Sequence, residues 1–129
     1  MMSTTRNSKQ RDAVLGDLQS RYDHPTAEEV YLSVKKEIPS ISLATVYRNL
    51  CFLNDEGKIF SISGRDAVHY DAHLHEHNHL MCRSCGRIFD VDICINSSFL
   101  DDANTNFNGC VDGYSLLFHG LCKTCNKTN

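Results

Sequence analysis

Two Cys-x-x-Cys pairs constrain the fold of this chain more than any other feature. Cys82 and Cys85 form the first pair, Cys122 and Cys125 form the second, and residues 86–121 separate them. A pair at this spacing brings two thiolates together on a tight turn, and two pairs supply the four sulfurs of a closed structural Zn²⁺ site. A redox dithiol, the alternative interpretation, needs only one pair. We therefore predict structural zinc, with a strand–helix–strand unit between the pairs.

The remaining cysteines bear on the cellular compartment. Of seven cysteines in the chain, Cys51, Cys94 and Cys110 have no partner at ligand spacing. We expect these three in the hydrophobic core, where free cysteine is common. The number of cysteines is odd, which does not suit a full set of disulfides. The N-terminus carries no apolar signal segment, and no apolar run is long enough to span a bilayer. These features favour a reducing compartment. The expectation is a cytoplasmic protein without a membrane partner.

The first half of the chain predicts three helices followed by a hairpin. A helix is predicted from Ser8 to Tyr22, a second from the capping box at Thr26 to Pro39, and a third from the cap Ser42 to Gly57. Strands at 58–62 and 68–71 flank a turn at 63–66. The apolar residues that recur at helical spacing are Ala13, Val14, Leu15, Leu18 and Tyr22, then Val30, Tyr31, Val34 and Ile38, then Leu43, Val46, Leu50 and Leu53.

Three helices and a hairpin in this order predict a winged helix-turn-helix. In that arrangement the third helix enters the major groove of DNA and the wing contacts the phosphate backbone. With the apolar stripe facing inward, the third helix presents hydrogen-bonding side chains that suit phosphates and base edges. An ordinary solvated helix face is the alternative. These outward residues are Ser42, Thr45, Tyr47, Arg48 and Asn49.

A histidine-rich tract joins the two halves. His69, Asp71, His73, His75, His77 and His79 all occupy odd positions, which share one face of an extended chain. Asp90, beyond the first cysteine pair, adds a carboxylate. Imidazoles with carboxylates and no thiolate suit Fe²⁺ or Mn²⁺ better than a sulfur-rich zinc site. A surface patch of histidines that bind no metal is the alternative.

The combination of motifs resembles the ferric uptake regulator family of metal-dependent transcriptional regulators. The resemblance implies an α+β chain, with a winged-helix DNA-binding domain and short hinge at 1–72 and a small α/β metal-binding dimerisation domain at 73–129. It also implies a homodimer that binds a palindromic operator in double-stranded DNA. The matching segments are His24–Ala27, Ile41–Leu50, His77–Cys82, Cys85–Ile88 and Gly120–Cys125.

The resemblance also implies a regulatory Fe²⁺ or Mn²⁺ site that joins both domains. Its ligands would be His24, Asp71, His77, His79 and Asp90, with His24 as the ligand from the first domain. An aspartate rather than a glutamate at position 90 is similar to the peroxide-sensing branch. In that branch, peroxide reacting at bound Fe²⁺ oxidises a ligand histidine, here His24 or His77.

The sequence therefore predicts a metal-dependent repressor that senses peroxide and controls oxidative-stress or metal-homeostasis genes. No catalytic residue is assigned, and metal and hydrogen peroxide are the only small molecules expected to bind. A ferrous-iron-responsive uptake repressor without peroxide chemistry is the main alternative. A thiol redox sensor or a small metal-dependent enzyme is a further alternative, but an enzyme needs an open metal position and a substrate cleft. Little chain remains to build that cleft.

Overall fold

Helices dominate the first part of the chain and a small sheet dominates the second. The computed structural model describes residues 6–73, 78–94, 98–114 and 116–126. We refer to residues 6–71 as the N-terminal unit and to residues 78–126 as the C-terminal unit. The elements are α1 (Arg6–Gln19), α2 (Ala27–Glu37), α3 (Leu43–Asp55), β1 (Phe60–Ser63), β2 (Val68–Asp71), β3 (Asn78–Cys82), β4 (Ile88–Val91), α4 (Ser98–Thr105) and β5 (Leu117–Gly120).

The predicted helix caps of α2 and α3 are confirmed. Thr26 accepts the backbone N–H of Glu29, and the Glu29 carboxylate accepts the backbone N–H of Thr26 at 2.9 Å. Ser42 likewise accepts the backbone N–H of Thr45 at 3.1 Å. At the other end of α3, Gly57 has a φ of 72°, a left-handed conformation that favours glycine. Side-chain caps thus set where both helices begin, and the backbone freedom of a glycine sets where α3 ends.

The three apolar stripes meet in one core, which the hairpin closes. Removing these side chains from water is the main stabilising contribution to the N-terminal unit. Most of the predicted stripe residues are confirmed, with two exceptions. Helix α1 stops at Gln19, and Tyr22 beyond it is 69% exposed; Leu43, at the start of α3, is only half-buried and lies outside the core. The core consists of Val14, Leu18, Ala27, Val30, Val34, Ile41, Val46, Leu50, Leu53, Ile59 and Tyr70.

The predicted outward position of Asn49 is wrong. Asn49 is only 5% exposed, because its amide turns back onto the helix and towards α1. Its Nδ2 donates to the Thr45 carbonyl at 3.0 Å, and its Oδ1 accepts from Arg11 Nε at 3.3 Å. The residue therefore links α1 to α3 and does not belong to the exposed face of α3.

The predicted wing is an antiparallel hairpin that is attached to the start of α2. Strands β1 and β2 pair from Phe60 opposite Asp71 to Ser63 opposite Val68. The backbone N–H of Tyr70 donates to the Pro25 carbonyl at 2.9 Å, and a bridge joins His69 to Thr26. Strand β2 therefore holds the segment that precedes α2.

In the C-terminal unit, β3 is the central strand of a three-stranded sheet. It pairs antiparallel with β4 and parallel with β5, and α4 lies in the connection between β4 and β5. This confirms the predicted strand–helix–strand unit between the cysteine pairs. Few of its apolar side chains are buried, and α4 buries none of its described residues. The large apolar side chains left exposed are Phe89, Ile93, Phe99, Phe107, Tyr114, Phe118 and Leu121.

The expectation that the three unpaired cysteines are core residues is wrong. Cys51, Cys94 and Cys110 are all exposed. Cys51 lies on α3 outside its apolar stripe. The other two cysteines lie in the thinly packed C-terminal unit, which offers them no core.

Within the described residues, no helix has both the length and the apolar character needed to cross a bilayer.

The core makes a prediction about Leu50, which is fully buried on α3. Replacing Leu50 by alanine should lower the free energy of unfolding by about 2–5 kcal/mol, because transfer free energy is lost and a cavity remains. The matched control is Leu32→Ala, since Leu32 on α2 is 62% exposed and such sites change stability by about 0.5 kcal/mol or less. Urea denaturation followed by helical circular dichroism measures both variants. Equal stability of the two would contradict the core assignment.

Candidate metal centres and DNA-facing helix

The two cysteine pairs converge on one point, as their spacing predicts. The metal-ligating atoms of Cys82, Cys85, Cys122 and Cys125 all lie within 4.8 Å of one another. The Cys85 and Cys122 sulfurs, one from each pair, are 3.9 Å apart. A tetrahedral ion with Zn–S bonds of about 2.3 Å has sulfurs roughly 3.8 Å apart. The quartet therefore has the dimensions of a closed zinc site.

Backbone geometry prepares Cys82 to act as a thiolate. Its sulfur accepts the backbone N–H groups of Cys85 at 3.5 Å and Cys122 at 3.4 Å, which lowers its pKa to about 6. The hydrogen bond with Ser84 lowers the pKa of Cys125, but its hydrogen bonds with the other thiols outweigh it and raise that pKa to about 11. Four cysteines this close lose all their thiol protons only when a divalent cation is bound, because without the cation the repulsion between neighbouring thiolates keeps some of the protons in place.

A second cluster lies where the N-terminal unit meets the C-terminal unit. His24 comes from the segment before α2, Asp71 from the end of β2, His79 from β3 and Asp90 from β4. His24 Nε2 is 2.9 Å from Asp90 Oδ1 and 3.4 Å from Asp71 Oδ2. His79 Nε2 is 3.4 Å from the same Asp90 oxygen and 3.8 Å from the same Asp71 oxygen.

Sheet register and a strained turn bring these four side chains together. His79 and Asp90 are direct partners across the β3–β4 ladder, which aligns their side chains on one face. His24 has a φ of 51°, a left-handed conformation unusual for a residue other than glycine. Its carbonyl accepts a hydrogen bond from Nδ1 of the buried His69 at 2.6 Å. His69 therefore supports the backbone of His24 and does not join the cluster.

The donors of this cluster fit a divalent cation. For bonds of about 2.1 Å, adjacent ligand atoms are roughly 3 Å apart in an octahedron and roughly 3.4 Å apart in a tetrahedron, close to most of the distances between these nitrogens and oxygens. Burial alone would lower the pKa of His24, but the Asp71 and Asp90 carboxylates raise it above its usual value. Asp71 is only 4% exposed, so its carboxylate depends on nearby positive charge rather than on water, whereas the Asp90 side chain is 41% exposed.

The residues of the histidine tract do not all lie at the metal cluster. Of the five expected regulatory ligands, the structure brings His24, Asp71, His79 and Asp90 together, and His77 lies outside the described residues, as does His75. His73 points away to the N-terminal unit, where its ring stacks on Tyr22 with 4.0 Å between centroids. Simple odd-position parity did not anticipate this division, because β2 and β3 belong to different sheets and parity holds only within one extended strand.

The four expected DNA-contacting residues lie together on the outer face of α3. Ser42, Tyr47 and Arg48 are exposed and Thr45 is half-buried. Arg48 Nη2 donates to Thr45 Oγ1 at 3.2 Å, and Thr45 Oγ1 also accepts from Ser42 Oγ at 2.9 Å. Tyr47 donates its hydroxyl to the Glu28 carboxylate at 3.3 Å. The cluster occupies the N-terminal half of α3, where recognition helices meet base edges.

Two arginines that sequence reasoning missed connect the units. Arg65, in the turn of the wing, donates to the backbone carbonyls of Arg83 at 2.6 Å and Ser84 at 2.7 Å, within the first cysteine turn. Arg87 donates to the Glu29 carboxylate at 2.8 Å and to the Asp23 carbonyl at 2.9 Å. No local spacing predicts these contacts, because each links residues far apart in the chain.

Comparisons with known proteins agree with this geometry. A family model described as the ferric uptake regulator family matches residues 2–106. The peroxide-responsive repressor PerR of Staphylococcus aureus strain USA300 is 33% identical over 123 residues, which is 93% of this chain and 82% of the relative.

Solved structures extend the comparison. The Campylobacter jejuni peroxide stress regulator is 33% identical, with a TM-score of 0.76 over 93% of this chain and 91% of that chain. The Helicobacter pylori ferric uptake regulator, described as having three functional metal-binding sites, is 25% identical, with a TM-score of 0.78 over 95% and 83%. The resemblance noted in the sequence is confirmed: this chain belongs to the ferric uptake regulator family, whose members are metal-responsive transcriptional regulators and not enzymes.

Proposed function

We propose that the chain is a dimeric, metal-gated transcriptional repressor that senses peroxide in the cytoplasm. Residues 1–72 form its DNA-binding domain and hinge, and residues 73–129 form its metal-binding dimerisation domain. The observation that carries the proposal is the His24, Asp71, His79 and Asp90 cluster, whose members come from both units. His77, in the same tract, completes the proposed ligand set.

One Fe²⁺ or Mn²⁺ in this cluster gates DNA binding by joining the two domains. His24 lies just before α2 and Asp71 ends the wing, so the N-terminal ligands are attached to the DNA-reading elements. His79 and Asp90 belong to the sheet of the dimerisation domain. Coordination removes freedom between the domains, and DNA binding and metal binding must then favour each other reciprocally.

A dimer supports recognition of a two-fold symmetric, palindromic operator. The exposed aromatic side chains of the C-terminal unit, among them Phe89 and Phe118, offer apolar surface to a second copy. Two copies place two α3 helices on the same DNA, and half-site spacing follows from the symmetry of the dimer. Structural Zn²⁺ at Cys82, Cys85, Cys122 and Cys125 stabilises the sheet from which this interface is built.

Peroxide sensing is supported by Asp90 and by the relatives named as peroxide-responsive. Fe²⁺ held by these ligands would activate hydrogen peroxide within bonding distance of the imidazoles. One peroxide oxygen would then replace the hydrogen on an imidazole carbon, which is oxidised by two electrons, and the other oxygen would leave as water. His24 is the most consequential target, because it is the only histidine that the DNA-binding domain contributes to the proposed ligand set. An imidazole that has gained oxygen binds metal poorly, so the domains separate and DNA is released.

The zinc assignment predicts that Cys82→Ser loses zinc and thermal stability, because structural zinc contributes directly to folding. The control is Cys110→Ser, which changes an exposed cysteine of the same unit and should keep zinc and melting temperature. Elemental analysis, thermal denaturation and sedimentation measure zinc content, stability and oligomeric state. A Cys82→Ser protein that remains a thermally stable dimer without zinc would exclude the structural role.

The DNA-binding assignment predicts that Arg48→Ala weakens operator binding about tenfold or more, as expected when a specific charged side chain is removed from a base edge. If Arg48 binds phosphate, the salt dependence should also fall, by roughly one unit of slope, because fewer counterions are released. Arg83→Ala, which removes an exposed arginine outside α3, is the control. Fluorescence anisotropy at several salt concentrations measures both variants. Unchanged affinity and slope in Arg48→Ala would remove Arg48 from the interface.

The peroxide proposal predicts different outcomes for the two metals. Iron-loaded protein treated with mild peroxide should gain one oxygen atom on the peptide that contains His24 or His77 and should lose operator binding in parallel. Manganese-loaded protein should bind the operator and resist the treatment, because Mn²⁺ does not readily reduce peroxide. Mass spectrometry and a binding assay on the same samples measure the correlation.

Two results would separate the alternatives. If iron-loaded protein keeps both its mass and its DNA affinity after peroxide, peroxide sensing is wrong and a ferrous-iron-responsive repressor is the better account. If neither metal promotes DNA binding, metal gating itself is wrong.

A further inference from the structure

Besides the proposed metal ligands and the Arg65 contacts, Arg87 forms a further bridge between the units. It immediately precedes β4, and its guanidinium reaches the start of α2 in the N-terminal unit. Nη1 donates to Glu29 Oε2 at 2.8 Å, and Nη2 donates to the Asp23 carbonyl at 2.9 Å. The Asp23 carboxylate is 3.9 Å from the same Nη2. One planar side chain thus binds two points on the opposite unit.

These two points flank His24, the ligand that the N-terminal unit contributes before α2. Asp23 directly precedes His24, and Glu29 belongs to the capping box that follows it. Glu29 Oε1 accepts the backbone N–H of Thr26, which leaves Oε2 for Arg87. Burial would raise the pKa of Glu29, but the hydrogen bonds from Arg87 and Thr26 lower it below its usual value. The carboxylate is therefore charged and fixed at neutral pH.

The same short segment of the C-terminal unit also contacts His24 itself. Asp90, three residues after Arg87, lies 2.9 Å from His24 Nε2. Residues 87–90 thus hold the His24 turn from its backbone side and from its imidazole side. The Arg87 hydrogen bonds use only protein groups, and none of their atoms belongs to a proposed metal ligand.

We propose that Arg87 is a positioning residue that docks the two domains in the metal-binding arrangement before the regulatory metal binds. The inference rests on the proposed metal-gated function and deepens it. The apparent metal affinity of a flexible protein is reduced by the fraction of molecules in the binding-competent arrangement. Arg87 raises that fraction, and thereby sets the metal concentration at which the repressor responds.

The test is Arg87→Gln in the full-length, zinc-loaded protein, with Mn²⁺ as the probe. Mn²⁺ affinity measured by calorimetry should fall about three- to tenfold. Two hydrogen bonds from a charged guanidinium make the interaction strong, but a third of the Arg87 side chain is exposed, so solvent screening limits the effect. Operator affinity at saturating Mn²⁺ should match that of the wild type. Before Mn²⁺ is added, small-angle scattering should give a larger radius of gyration for Arg87→Gln than for the wild type.

Two further variants make the result specific. Lys36→Gln removes one positive charge from an exposed position on α2, outside both the metal cluster and the cysteine turns, and should leave Mn²⁺ affinity unchanged. Glu29→Gln keeps an acceptor for the Thr26 cap but removes the charged partner of Arg87, and should weaken Mn²⁺ binding as Arg87→Gln does. The double variant should bind Mn²⁺ little more weakly than either single variant, because both remove the same interaction. If Arg87→Gln loses zinc, Glu29→Gln decides the question, since it does not alter the zinc-binding unit.

The outcomes separate this inference from the proposed function. Wild-type protein that binds operator equally well with and without Mn²⁺ would overturn the proposed function. Wild-type protein that responds to Mn²⁺, together with Arg87→Gln and Glu29→Gln proteins that bind Mn²⁺ like Lys36→Gln, would overturn only the role of Arg87.

Discussion

The junction of the two units depends on positive charge between Asp71 and Asp90. Asp71 is almost fully buried, and a buried carboxylate is costly unless it is paired. The two carboxylates raise the pKa of His24, which favours the charged form of that imidazole. A divalent cation held by the four side chains, as proposed, would supply more positive charge. The junction is therefore built so that a cation strengthens contact between the units.

Strand β3 connects this junction to the cysteine quartet. It carries His79 near its start and Cys82 at its end, and it is hydrogen-bonded to both other strands of the sheet. Its pairing with β4 places His79 opposite Asp90, and its pairing with β5 places Cys82 opposite Gly120, just before the second cysteine pair. The small sheet buries few apolar side chains, so the four sulfurs and the metal that they can hold compensate for a thin core.

Periodicity predicted the N-terminal unit well because its core is made of regular helix stripes. Val46 and Leu50 recur at the expected interval and both are fully buried. Asn49 also faces inward, but its burial depends on two hydrogen bonds, one of them with Arg11 on another helix. Hydrophobicity alone cannot anticipate a polar residue that is buried because it finds partners. The C-terminal unit was harder to predict, since Cys94 and Cys110 suggested core positions yet both are exposed. Residue preferences for burial presuppose a core large enough to receive the side chain.

The sequence by itself determined the features that depend on short spacing. The helix caps at Thr26 and Ser42, the wing and the two cysteine pairs each arise from residues a few positions apart, whose geometry local backbone conformation dictates. Local spacing does not decide which groups meet across the units. The family resemblance implied that His24 meets Asp90 across 66 positions, but only the tertiary structure showed that Arg87 meets Glu29 across 58. Contacts of that range depend on how the two units dock, and no local pattern specifies that docking.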